Sequence, residues 1–124
     1  MTATVKLAVC FLAGSSASPE LSALDAARSD GDELPLVAGE DSYAADGSTS
    51  RFVGDFEDVS LWISRGADSP VCLIAVNTSL DEGFTVCGGL PLGAEGLGHI
   101  FELWPDDAPA PDGMTRLSEN VYAQ

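Results

Sequence analysis

Positive charge is scarce in this chain: five lysines and arginines stand against twenty aspartates and glutamates, for a formal net charge of −15. Lys6 is the only lysine, and Arg28, Arg51, Arg65 and Arg116 complete the set. Nucleic acid is excluded as a partner, because binding it needs a basic footprint. Anionic membrane surfaces are disfavoured for the same reason. The acidity favours solubility and fits a saline habitat, but it identifies no partner. Histidine and cysteine are almost as sparse. One histidine, His99, and three cysteines, Cys10, Cys72 and Cys87, fall short of a structural zinc set. The acidic clusters Asp30-Gly31-Asp32-Glu33 and Glu40-Asp41 lack the spaced oxygen ligands of an EF-hand loop. No metal is expected. The glycines at Gly88, Gly89, Gly93, Gly96 and Gly98 form neither G-x-G-x-x-G nor a P-loop, so no nucleotide cofactor is expected either. No apolar run is long enough to cross a bilayer as a helix.

What is present centres on Val59 to Gly89. Val59, Leu61 and Ile63 alternate with Ser60, Trp62 and Ser64, the period of a half-buried strand. Arg65 to Pro70 supplies turn chemistry. Val71 to Val76 is a continuous apolar run bounded by turn signals, which suits a strand buried on both faces. Asn77 to Gly83 turns again, Phe84 to Cys87 alternates, and Gly88-Gly89 stops the pattern. The reading is a three-stranded antiparallel meander. If the last two strands form a hairpin, Cys72 and Cys87 meet at its open ends, and in an oxidising compartment they form a disulfide.

Met1 to Ser18 has the layout of a secretory signal: Lys6, then apolar Leu7 to Ala13, then small residues with Ser15 and Ala17 at the −3 and −1 positions of a cut. The same residues also read as an N-terminal strand of the fold, or as the remnant of a longer membrane anchor. Residues 18–124 then form a single small domain, a length able to bury one modest core. Ser18-Pro19-Glu20 carries cap, first-turn proline and dipole-matched acid, and Leu21, Leu24 and Ala27-Arg28 recur at helical spacing. The spacing predicts a short amphipathic helix from Pro19 to about Ser29. Glu33 to Ser50 reads as loop. Arg51 to Gly54 reads as a short strand, His99 to Trp104 as another, and Met114 to Tyr122 as a last edge strand. Leu90 to Gly98 reads as a helical turn or a glycine-bent crossover.

Any histidine-based catalysis must use His99, with a serine, threonine or free cysteine as nucleophile and an acid to orient the ring. Neither a G-x-S-x-G elbow nor a Cys-His signature accompanies it. Trp62 shares its strand face with serines, which makes it the candidate for a binding surface, although packing, on the second face of a sandwich or under the N-terminal helix, is the favoured reading. Asn77-Thr78-Ser79 is formally a glycosylation sequon and reads as turn composition.

Arg51-Phe52-Val53-Gly54, Trp62-Ile63-Ser64-Arg65-Gly66, Val71-Cys72-Leu73-Ile74 and Cys87 together resemble small extracytoplasmic domains of actinobacteria. Leu24 to Arg28, Asp32 to Pro35 and the turn Pro111-Asp112-Gly113 are similar to stretches of the same domains. In them a signal or a single anchor precedes a helix and a compact cysteine-bearing domain, and no activity is assigned. The resemblance implies export and a disulfide.

The expectation is therefore an α+β domain: an N-terminal helix packed on a small antiparallel β-sheet of five to six strands, held by one disulfide, Cys72–Cys87. Its expected role is an exported or cell-surface, non-enzymatic domain that binds a protein or small ligand, with a membrane involved only through an N-terminal anchor. Two alternatives stay open: a small hydrolase using His99 with a serine or acid, and a cytoplasmic accessory protein.

Overall fold

The computed structural model describes residues 21–35 and 45–124. Eight strands lie in this part: β1 (Ala45–Phe56), β2 (Val59–Gly66), β3 (Val71–Asn77), β4 (Glu82–Gly88), β5 (Leu92–Gly96), β6 (His99–Leu103), β7 (Thr115–Arg116) and β8 (Val121–Ala123). They form two four-stranded antiparallel sheets, ordered β1-β2-β3-β4 and β5-β6-β8-β7.

The alternation of β2 decides which face meets which layer. Val59, Leu61 and Ile63, with Val71, Leu73 and Ala75 of β3, share one buried cluster with Phe101, Leu103, Val121 and Ala123 of the second sheet. The sheets therefore pack face to face. The opposite residues, Trp62, Cys72, Ile74 and Val76, belong to a separate cluster with Ala45 and Leu34 on the other side of the first sheet. All seven residues of β3 are buried, because apolar side chains cover it on both faces. At the margin of the sandwich the layers touch: a Cβ on Gly96 would lie 2.6 Å from Phe84 Cε2, so only glycine fits there.

The expected α+β architecture is corrected in two respects. Among the described residues there is no α-helix, only 3-10 turns at Ser22–Asp25 and Asp30–Asp32. The start of the expected helix, Ser18 to Glu20, lies outside the described residues, as does the segment 1–17. Leu21 and Leu24 are buried, and this i, i+3 pair suits a single 3-10 turn as well as a helix. At Ala26 the backbone is extended. The carbonyls that would continue a helix accept from Arg51 instead: its guanidinium donates to Leu24 O at 3.1 Å and to Ala26 O at 2.6 Å. So few residues hold a helix only marginally, and this competition is enough to redirect the chain. The second correction is that one sheet of five to six strands is replaced by two sheets of four. The chain turns out of the first sheet at residues 89–91, and Leu92–Gly96, expected to be a helical turn or crossover, opens the second. The last expected strand is broken by a bend at residues 118–120, where the buried Asn120 donates to Trp104 O and Asp106 Oδ1, both at 2.9 Å.

The segment 21–35 is clasped to the edge strand β1. Arg28 donates to Ser50 O at 3.1 Å and Gly47 O at 3.0 Å. Asp32 accepts from the Phe52 and Ser29 amides, each at 2.8 Å. The Phe52 amide lies on the outer edge of the sheet, so this carboxylate closes part of an otherwise open strand. The hydrogen bond from Phe52 holds the Asp32 carboxyl below its ordinary value, with Ser29 and the charge of Arg51 acting the same way against partial burial. A carboxyl lowered in the folded state stabilises the fold above its unfolded-state value, and that stability disappears as pH falls through the lowered one. Asp32→Asn is accordingly expected to melt a few degrees below the natural chain at pH 7. In thermal scans the gap should close as the pH is taken below the ordinary value of 3.8. A gap that is independent of pH contradicts a role for the charge.

Candidate functional site

Cys72 and Cys87 are register partners in the β3–β4 ladder and are joined by a disulfide, with Cα atoms 4.0 Å apart. The hairpin that brings them together is the one the alternating pattern predicts. This bond links the central strand β3 to the edge strand β4 and so fixes one rim of the first sheet.

The outward face of the second sheet carries a groove at its β5–β6 end. Leu97 and Gly98, both at positive φ, form the two-residue turn that pairs Gly96 with His99. The register then sets Glu95 opposite Ile100. Ile100 in turn exchanges two main-chain hydrogen bonds with Gln124, at 3.0 and 2.9 Å. Glu95, Ile100 and Gln124 thus lie in a row across the sheet. With Gly96, Gly98 and His99 they line a groove of about 410 Å³. Among the described residues, Ile100 is one of the few large apolar side chains left exposed, at 39%. Its lining offers one carboxylate, one amide, the histidine and one exposed aliphatic group.

Of the residues singled out in the sequence, His99 lies at the groove, while Trp62 and Asn77 lie elsewhere. The His99 side chain shares the inward face with Phe101 and meets the rings of Phe56 and Phe101 edge-on, at 5.0 and 5.9 Å between centroids. Among the described residues no hydroxyl, thiol or carboxylate is hydrogen-bonded to its ring. Trp62 is 7% exposed, donates from Nε1 to Gly31 O at 3.1 Å, and is covered by the edge-on ring of Phe52, which takes the exposed position. The Asn77 side chain is buried in its turn, with Oδ1 accepting from the Leu80 amide at 3.2 Å. Glu95, Ile100 and Gln124 escaped the sequence reading. The alternation of His99 to Trp104 puts Ile100 on the face opposite Phe101, but only the register brings it to Glu95 and Gln124.

Among the described residues, no three acidic, histidine or cysteine side chains are grouped so as to hold a metal ion, and no helix is long and apolar enough to cross a membrane. No family model, curated protein or solved structure matches the chain.

Proposed function

We propose that this is an exported or cell-surface, non-enzymatic domain: a disulfide-held β-sandwich that binds another molecule through the outward face of its second sheet. The observation that carries the reading is the Cys72–Cys87 bond. Disulfides persist in oxidising compartments and are rare where thiols are kept reduced. The signal-like layout of residues 1–17 and the resemblance to actinobacterial extracytoplasmic domains support the same location. Binding is supported by the groove at Glu95, Ile100 and Gln124, while the packing of His99 between two aromatic rings favours a structural use of that side chain.

Fractionation of an actinobacterial host expressing the full chain tests the proposal. Recovery from the medium or the cell envelope is the expected result. Recovery of the unprocessed chain from the cytosol, with reduced thiols, overturns the proposal and favours the accessory-protein alternative.

A further inference from the structure

The groove adjoins a sheet edge with which no other strand pairs among the described residues. In a two-residue hairpin the pair next to the turn is hydrogen-bonded, and bonded and non-bonded pairs alternate from there. Gly96/His99, Ala94/Phe101 and Leu92/Leu103 are then the bonded pairs, and the peptide groups of Gly93 and Glu95 point away from β6. Both residues are exposed, and among the described residues nothing bonds to these groups. Such an edge is a template for another strand, and natural proteins cover or charge it. Part of the first sheet's β1 edge is closed by Asp32; on β5, among the described residues, Glu95 is the one charged guard.

The two sides of this edge differ in chemistry. Inward lie Phe84, Val86, Leu92 and Ala94, half-buried against the core along the margin of the sandwich. Outward lie Glu95 and, across the ladder from Gly93, Glu102. The one arginine of this sheet, Arg116, lies in the same cross-strand row as Glu102 but donates to the Ser118 and Glu119 carbonyls, and Glu102 accepts from the Trp104 indole at 2.8 Å. At a net charge of −15 a second copy of the chain is repelled. From this geometry, and resting on the binding-domain reading above, we infer that β5 takes up an extended segment of a partner protein as a fifth strand. Apolar side chains of that segment face the sandwich margin, and basic ones face Glu95, Glu102 and the groove beyond them. Main-chain pairing holds the segment, and the alternate side chains select it.

The test uses the oxidised full-length chain, labelled with ¹⁵N, and three end-blocked seven-residue peptides that alternate lysine with valine, glutamate with valine, and serine with valine. The lysine peptide is expected to shift the Gly93 and Glu95 amides saturably, and the glutamate peptide to leave them unmoved. Gly93→Pro removes an outward amide at a position where an edge strand accepts proline, so it should weaken binding at least about tenfold with an unchanged melting temperature. Glu95→Gln should weaken it about threefold to tenfold and flatten its dependence on salt. Should Gly93→Pro fail to fold, a lysine peptide N-methylated at alternate residues, added to the natural chain, asks the same question and should not bind. Lysine-peptide binding that survives the blocked edge, or shifts scattered over the whole acidic surface, overturns the strand-addition inference. Equal binding of all three peptides at β5 overturns the basic specificity and keeps the face as a binding surface. No response to any of them overturns the inference, whereas the export reading is decided separately by fractionation.

Discussion

A chain carrying Cys72→Ala and Cys87→Ala is expected to unfold about 3 kcal/mol more easily than the oxidised natural chain. The two cysteines are fifteen residues apart, and closing a loop of that length removes about 3 kcal/mol of conformational freedom from the unfolded state in the chain-entropy account. Cys72 is fully buried beside Ile74 and Val76, so the shorter alanine side chains add a small packing loss. The midpoint should fall by on the order of 10 °C. Reducing the natural chain with dithiothreitol separates the two contributions, because it opens the bond and leaves both sulfur atoms in place. The same denaturation midpoint with and without reductant would show that the bond contributes nothing.

Phe101→Ala is expected to be at least as damaging, at about 3–5 kcal/mol. Phe101 is fully buried between the layers, pairs in register with Ala94 and Ala123, and lies 6.3 Å from the ring of Phe84 in the first sheet. The small residues on either side cannot fill the space it leaves. Against a total stability of about 5–15 kcal/mol for a domain, this single change brings the fold close to its limit. Its neighbour supplies the control: Ile100 points the other way and is 39% exposed, so Ile100→Ala should stay within about 0.5 kcal/mol. Urea denaturation should show a lower midpoint and an unchanged slope for Phe101→Ala. Equal effects at the two positions would mean that the second sheet does not pack on the first.

The central strands were legible because their patterns are complete within a few residues. Val59, Leu61 and Ile63 declare one face of β2, and the run from Val71 to Val76 declares a strand covered on both. The disulfide followed from the same local hairpin. The division into two sheets was not legible, because nothing in Leu92–Gly96 states that it pairs with His99–Leu103 rather than with β4. The helix was misread for a related reason. Leu21 and Leu24 fit two kinds of turn, and the choice falls to Arg51, twenty-five residues away, whose guanidinium takes up the Ala26 carbonyl. The groove was hidden in the same manner. His99 drew attention as the only histidine, yet its ring packs inward, while Glu95, Ile100 and Gln124 converge only through the strand register.

The most direct test of the account is a non-reducing peptide map of the chain recovered from its host, alkylated before and after reduction. The account predicts one linked peptide pair joining Cys72 to Cys87, both labelled only after reduction. Labelling of both cysteines before any reductant is added would contradict it, removing the observation on which the export reading rests.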